Sequence, residues 1–390
     1  MKKLLHFLFT ALAALAMIFS SLGTITAFAA TEQTYDIVLT KVKMTSLAGW
    51  PKQNGADGTE YTGQQLNIQN YFGAGSETLP GVWFEVHKYD DSKSDKVGDL
   101  VAGQEGQTDA AGQITFKDLP AGKYMIVENK EKSELSSQEQ LAESAAVPME
   151  IELPVYKATG GWYTTGTDAV HVYPKNTVDK PSIDKVVNDH DKHDTATIGV
   201  KKTFKVTSKM PKGIEDYKVL TFTDKMSAGL TYKGNLVVKK GNDVVPTTDY
   251  ETTGTSPVDT KAGTISVAFK ETFIKSLKAN DVITITYDTV INEDAVMGEA
   301  NKNDVKVDYG TNPNFKKEEK PTDIPELHTG GAKFIKNDKK VEMYTNGRLV
   351  HRNISLRIKN IFRLPAVLKI ISYILYIITL KKARKKRQKD

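Results

Sequence analysis

The segment Thr108–Glu128, TDAAGQITFKDLPAGKYMIVE, decides the fold class of this chain. It contains two short runs rich in Ile, Thr, Val and Tyr, Gln113–Phe116 and Tyr124–Val127, separated by the turn-forming residues Leu-Pro-Ala-Gly. Short β-prone runs between Pro and Gly signals are typical of strands joined by tight turns. The segment therefore predicts strands of a β-sandwich.

Similar runs recur from residue 31 to residue 320. Examples are Tyr35–Val42, Val82–Val86, Val200–Val206, Val219–Phe222, Leu236–Val238 and Asp281–Tyr287. This spacing predicts an all-β fold of tandem immunoglobulin-like sandwiches. Polar stretches with prolines at 173–181 and 316–325 predict linkers, so we expect one sandwich at 31–179 and another at 180–318. The one helical window, Glu131–Ser144, is polar and predicts a surface excursion.

Composition excludes several classes of protein. The 390 residues are 39% hydrophobic and 26% charged, which is the balance of a folded, soluble chain. The net charge of +5 comes from basic residues at the two ends, and the part between them is slightly acidic. A nucleic-acid partner is therefore not expected, because no basic surface is available to neutralise phosphates. The chain has no cysteine, so any covalent reinforcement must use other chemistry.

The two ends of the chain have their own signatures. Residues 1–30 combine two lysines, an apolar run and a small-residue exit, which predicts a secretory signal peptide. The apolar segment 364–380 precedes a basic tail, as in a membrane segment with positive-inside flanks. All six arginines lie from Arg348 onward, so the tail 341–390 looks foreign to what precedes it. We expect a secreted chain at the cell surface or cell wall, or one retained in the membrane by 364–380.

Several motifs resemble one family. The segment Leu79–Val86 followed by Thr108–Glu128 resembles the collagen-adhesin B-type immunoglobulin-like repeat, whose Tyr-x-x-x-Glu strand is called the E-box. Trp162 followed by Val170–Asn176 resembles the pilin motif of sortase-assembled Gram-positive pili.

Further phrases extend this resemblance along the chain. Phe222–Tyr232, and Ile283–Tyr287 with Asn301–Val305, resemble the isopeptide-forming fimbrial domain. Gly330–Lys336 resembles the opening strand of a third such domain, so 319–340 is interpreted as a linker and the start of an incomplete domain. Together these phrases point to a major, or backbone, pilin.

The resemblance implies that each sandwich is closed by an intramolecular amide between a lysine and an asparagine. In the first sandwich it assigns Lys41 as nucleophile, Asn176 as acceptor and Glu128 as the acid beside them, with Lys43 an open alternative to Lys41. Burial favours the neutral amine and the protonated acid, which are the forms that the reaction needs. The reaction occurs once per chain, so no enzyme activity is expected.

In the second sandwich the resemblance assigns Lys185, Asn303 and Asp224, with Asn301 an open alternative to Asn303. Each bond would close a loop of nearly a whole domain. In the disulfide analogue, closing such a loop restricts the unfolded chain by about 4–5 kcal/mol.

Lys175 has a different implied role. In the family, a pilin-specific sortase joins this lysine to the C-terminal threonine of the next subunit after cleaving a Leu-Pro-x-Thr-Gly signal. Such a lysine is expected to be exposed, next to a linker. Here Leu364–Leu368 reads LPAVL, without the threonine and glycine of the signal. A non-polymerising, truncated pilin from a frameshifted gene is therefore an alternative.

The remaining motifs suggest no cofactor. The loop Asn188–Asp194 offers imidazole and carboxylate groups, but its spacing fits no EF-hand, so it is interpreted as a solvated loop and no metal is predicted. We expect a structural subunit of a covalent pilus that supports adhesion. Its expected partners are other pilin subunits, a sortase and a host matrix or cell-surface ligand. The alternatives are a wall-anchored adhesin and a secreted hydrolase using the His-rich loop.

Overall fold

The computed structural model describes residues 33–50, 52, 54–255, 261–330, 333–337, 340–345 and 348–350. The predicted signal peptide 1–30, the apolar segment 364–380 and most of the tail 341–390 lie outside the described residues. The prediction of an all-β fold is confirmed. The α-helices of the described residues are α1 (Ile68–Phe72) and α2 (Glu271–Ile274), beside 3-10 turns at Gly166–Asp168, Ile214–Asp216 and Thr247–Asp249. Across that same part of the chain, we find no helix with the length and hydropathy needed to cross a bilayer.

The N-terminal sandwich contains eleven strands: β1 (Thr34–Thr40), β2 (Val42–Lys43), β3 (Glu77–Thr78), β4 (Trp83–Tyr89), β5 (Val97–Gln107), β6 (Gln113–Pro120), β7 (Gly122–Asn129), β8 (Gln140–Ala145), β9 (Met149–Leu153), β10 (Val170–Val172) and β11 (Lys175–Asp179). They form sheets in the orders β10-β1-β6, β3-β2-β11-β8 and β5-β4-β7-β9. The quoted segment supplies β6 and β7, which meet at the Pro120–Gly122 turn. Inward residues of these strands, such as Ile37, Phe84 and Phe116, fill the core.

The second sandwich contains thirteen strands: β12 (Asp184–Val187), β13 (His193–Thr195), β14 (Lys201–Lys209), β15 (Val219–Met226), β16 (Leu230–Tyr232), β17 (Val237–Lys240), β18 (Asp243–Val244), β19 (Tyr250–Thr253), β20 (Thr264–Phe269), β21 (Val282–Ile291), β22 (Ala300–Gly310), β23 (Lys317–Glu319) and β24 (Glu326–His328). One sheet has the order β12-β14-β21-β17-β18, with β16 also on β21. The other has the order β13-β24-β22-β15-β20-β19, with β23 also on β22. Alternate residues of β15, β21 and β22 are buried between the sheets, as a period of two requires.

The structure differs from the sequence interpretation at both predicted linkers. Residues 175–179 form β11, which pairs with β2 and β8 inside the first sandwich. Residues 317–319 and 326–328 form β23 and β24, which both pair with β22. Proline marks the ends of these short strands rather than a free connection, because it removes a backbone donor only at its own position. Beyond them, β25 (Lys333–Asn337), β26 (Lys340–Thr345) and β27 (Arg348–Val350) form a separate antiparallel sheet.

The predicted helix at Glu131–Ser144 is wrong. Its end forms β8, where Leu141 is buried, and the rest is an irregular stretch whose Leu135 is also buried. Residues 130–143, here called the inter-domain segment, contact the second sandwich. The Tyr309 hydroxyl donates to the Gln138 carbonyl at 2.6 Å, and Thr311 Oγ1 donates to the Lys130 carbonyl at 2.8 Å. Polar side chains of the segment contribute to the same contact, as in the pair between Lys130 Nζ and Asp216 at 2.6 Å.

Candidate functional site

Lys41 lies in the break between β1 and β2 and is completely buried. Its Nζ donates to Glu128 Oε2 on β7 and to Asn176 Oδ1 on β11. The Asn176 amide nitrogen donates to the other carboxylate oxygen of Glu128 at 2.9 Å. The Phe84 ring covers the site, with its centroid 5.3 Å from Nζ. The structure thus brings the three predicted residues of the first sandwich into one contact group.

Burial dominates the electrostatics of this group. Loss of hydration lowers the pKa of Lys41, and the neighbouring Glu128 opposes that shift. The alternative lysine lies elsewhere: Lys43 Nζ pairs with Glu139 Oε2 at 3.0 Å, with both side chains partly exposed. Lys41 continues the inward alternation of Ile37 and Leu39 in β1. The break before β2 interrupts that alternation, so Lys43 is partly exposed. Of the two lysines, Lys41 is the one that is fully buried beside Glu128 and Asn176.

Lys185, on β12, occupies the equivalent place in the second sandwich. Its Nζ is 2.5 Å from Asp224 Oδ2 and 3.1 Å from the Tyr287 hydroxyl. The Asn303 amide nitrogen donates to the same hydroxyl at 2.7 Å. Tyr287 therefore bridges the lysine and the asparagine. The stacked Phe204 ring, on β14, closes the site with its centroid 5.2 Å from Nζ.

In the second group, burial shifts the pKa values so that the neutral forms of the lysine and the acid are favoured. Burial lowers the pKa of Lys185 to about 8, and it raises the pKa of the Asp224 carboxyl. Both shifts favour a neutral amine beside a protonated acid. Asp224 Oδ1 and Asn303 Oδ1 are buried without a hydrogen-bond partner. Each such atom costs about 1–3 kcal/mol, so this arrangement of the two side chains is energetically unfavourable.

The alternative acceptor Asn301 is held by the backbone. Its Oδ1 accepts from the Val296 amide at 2.9 Å, and its Nδ2 donates to the carbonyls of Val296 and Leu327, both at 3.1 Å. These bonds fix a loop and the end of β24. Asn301 thus has a structural role, whereas Asn303 faces the lysine side of the core.

Tyr287 is a site residue that sequence reasoning missed. It lies in the Ile283–Tyr287 phrase, whose alternation predicts that residue 287 points inward. Burial raises the pKa of its hydroxyl well above the usual value, so it stays protonated and can donate. The signal was therefore present in the strand pattern, but the pattern alone does not distinguish a core tyrosine from one that contacts reacting groups.

Lys175 is buried, and the prediction that it is exposed is wrong. Only 8% of its surface is accessible. Its Nζ donates to the Tyr173 carbonyl at 2.7 Å and lies 5.2 Å from the Trp50 ring centroid and 5.0 Å from that of Phe72. Burial lowers its pKa to about 8. We call Trp50 and Phe72 the aromatic cap of Lys175.

The aromatic cap belongs to a small apolar cluster of its own. Val42, Met44, Tyr71, Phe72 and Tyr173 form its buried part. Most of these residues come from the connection between β2 and β3. No pattern in that connection predicts that it packs on a strand more than a hundred residues later. The sequence therefore suggested that Lys175 is exposed.

Two family descriptions match the chain. The N-terminal domain D1 of Gram-positive pilin subunits matches residues 32–177, and the Cna-B-like domain of Gram-positive pilin backbone subunit 2 matches residues 194–313. No curated protein matches the chain in sequence.

Solved structures share the architecture. The RrgB pilus protein of Streptococcus pneumoniae is 23% identical, with a TM-score of 0.56, over 72% of this chain and 49% of that chain. The major pilin SpaD of Corynebacterium diphtheriae is 22% identical, with a TM-score of 0.40, over 80% of this chain and 72% of that one. This chain spans about half the length of RrgB, and at 23% identity the likeness to RrgB shows the fold alone. The two family matches cover both sandwiches, and the chain therefore belongs to the Gram-positive backbone pilins.

Proposed function

We propose that this chain is a structural shaft subunit of a covalent pilus displayed on the cell surface, where it supports adhesion. The observation that carries the proposal is the pair of buried lysine–acid–asparagine groups, one in each sandwich. In each group the lysine lies in or beside one of the first strands, and the asparagine lies in one of the last long strands. A buried lysine without a chemical use costs stability, because its charged form loses hydration. Two such groups in corresponding places indicate a shared reaction.

The reaction proposed is amide formation with loss of ammonia. The neutral Nζ of Lys185 attacks the side-chain carbonyl carbon of Asn303, and the protonated Asp224 donates to the carbonyl oxygen. One amine proton passes to the leaving nitrogen, and the proton on the carbonyl oxygen returns to Asp224. One C–N bond thus forms, one breaks and ammonia departs. Lys41, Asn176 and Glu128 would react in the same way. Each chain reacts once, so the process is self-processing and not enzymatic turnover.

The proposed link between subunits is the ε-amine of Lys175. This amine, which the low pKa keeps partly neutral near pH 8, would attack the acyl group of another subunit held on a sortase. An amide forms, the bond between acyl group and sortase breaks, and the amine proton leaves with the sortase nucleophile. The aromatic cap must first move away, because it covers Nζ in this structure. The proposed partners are other copies of a pilin and a pilin-specific sortase, with a host surface ligand contacted by the assembled fibre.

Intact mass and polymer formation test the two parts separately. Each amide removes about 17 Da, so the chain should be lighter than its sequence by about 34 Da. Because this chain lacks the Leu-Pro-x-Thr-Gly signal, the host must supply the matching sortase and a pilin that carries the signal, and polymers containing this chain should then appear as a ladder in cell-wall extracts. Lys175→Ala should abolish the ladder without changing the mass deficit, whereas Lys180→Ala, at a partly exposed lysine paired with Glu319, should leave both intact. A full sequence mass would refute the cross-links, and a ladder that survives Lys175→Ala would refute the linkage site.

A further inference from the structure

A cluster of two histidines and a glutamate lies at the edge of the second sandwich. β13 pairs in parallel with β24, and the register places His193 opposite Glu326 and Thr195 opposite His328. Glu326 and His328 are two residues apart on one strand, so their side chains lie on the same face. The pairing of a short edge strand with β24 therefore collects three side chains with metal-binding atoms.

The distances within this cluster suit a small cation. Glu326 Oε2 is 3.7 Å from His193 Nδ1 and 3.5 Å from His328 Nε2. All three potential ligand atoms lie within 4.8 Å of one another. Tetrahedral Zn²⁺ with bonds of about 2.0–2.1 Å separates its ligand atoms by about 3.3 Å. Small side-chain rotations would bring the three atoms to that spacing.

We propose that His193, Glu326 and His328 bind one divalent transition-metal ion, with Zn²⁺ as the ion that they fit best. Two imidazoles and a carboxylate are ligands that Zn²⁺ favours, and they are poor ligands for Ca²⁺ or Mg²⁺. His193 is exposed and the other two side chains are half-buried, so water can occupy the fourth position.

The proposed ion would cross-link β13 to β24 at the edge of the sheet. β13 has only three residues and is the end strand of its sheet. It is held to β24 by a few backbone bonds, including the amide of Glu326 donating to the Lys192 carbonyl at 2.8 Å. An ion bound to side chains of both strands would protect this edge from opening.

One neighbouring charge opposes the ion. Lys302 Nζ is 3.4 Å from Glu326 Oε1, the carboxylate oxygen that does not face the histidines. Its side chain is 61% exposed, so it can be removed without opening the core. Removing this positive charge should strengthen metal binding, which a purely structural role of Glu326 would not predict.

The loop also supplies a matched control. His190 precedes His193 by three residues, is largely exposed and pairs with Asp191 at 3.5 Å. It does not belong to the cluster. His190→Ala therefore removes an imidazole from the same loop without removing a ligand.

The test uses the full chain, purified without a polyhistidine tag and freed of metal with a chelator. Co²⁺ is titrated and its visible absorption followed, and Zn²⁺ is then added as competitor. We expect one site that Zn²⁺ occupies in preference to Co²⁺. His193→Ala and His328→Ala should each weaken binding by more than the 10–100-fold typical of losing a supporting group. His190→Ala should leave the affinity unchanged, and Lys302→Ala should increase it.

Two results would overturn the proposal. The first is the absence of saturable binding by the native chain. The second is equal affinity in the native chain and the His193→Ala/His328→Ala double variant. Circular dichroism of each metal-free variant separates loss of a ligand from loss of the fold.

Discussion

Replacement of Asp224 by asparagine should prevent the second cross-link while leaving Lys185 and Asn303 in place. The variant cannot donate the acid proton, so one cross-link is lost. The mass deficit relative to the sequence should therefore fall from about 34 Da to about 17 Da. Without the bond, the loop from residue 185 to residue 303 is no longer closed in the unfolded chain, which lowers the unfolding free energy by about 5 kcal/mol. For a domain of this size, that loss lowers the melting temperature by about 10–20 °C in scanning calorimetry.

The matched control is Asp288→Asn. Asp288 is also a buried aspartate of the second sandwich, but it binds Lys201 at 2.6 Å and Thr203 at 2.7 Å and does not contact Lys185. This control should lose some stability and keep the full mass deficit of about 34 Da. The reasoning fails if the Asp224→Asn chain retains that deficit. It also fails if the bond is lost while the melting temperature stays within a few degrees of the native value.

Three further predictions concern Tyr287 beside Lys185, Trp50 beside Lys175, and Lys175 itself. Tyr287→Phe should slow appearance of the second mass deficit after refolding by about tenfold to a hundredfold, the value of one or two lost hydrogen bonds, whereas Tyr232→Phe, whose ring centroid is 6.1 Å from that of Tyr287, should not. Trp50→Ala should raise the rate of amine acetylation at Lys175 by about an order of magnitude in peptide mapping. The same change at Trp162, an exposed tryptophan that contacts Tyr156 and is not part of the aromatic cap, should have no effect. Because the folded pKa of Lys175 is about 8 and the unfolded value is about 10.4, the unfolded chain binds more protons between these values. The unfolding free energy measured with denaturant should therefore increase by up to about 3 kcal/mol as pH rises through this window, and Lys175→Met should remove that increase.

Strand alternation and turn residues were sufficient to predict the sandwiches, because a sheet with one buried face imposes a period of two on the sequence. The same period does not decide which of two residues, two positions apart on one strand, belongs to the site. Asn301 and Asn303 lie two residues apart and both are buried, so only their partners distinguish them. Lys41 and Lys43 posed the same problem, and a break in the strand, which the sequence pattern does not show, separates them.

The errors of the sequence interpretation share one cause. The burial of Lys175 depends on rings contributed from a connection far earlier in the chain. The inter-domain segment, which is irregular up to the start of β8, is held by contacts with the second sandwich. Both environments are set by long-range contacts, which local composition does not encode.

The position of Lys175 beside Asn176 has a mechanical consequence. If tension enters a subunit through the Lys175 side chain, it reaches the main chain one residue before the proposed cross-link and leaves along β11 toward the second sandwich. The residues before 175 then lie outside the path of the tension and carry almost none of it. In the second sandwich the force would pass from Lys185 to Asn303 and bypass the strands between them. The first amide would thus act as a tether that keeps a side domain closed against proteases, while the second would bear the tension of the fibre.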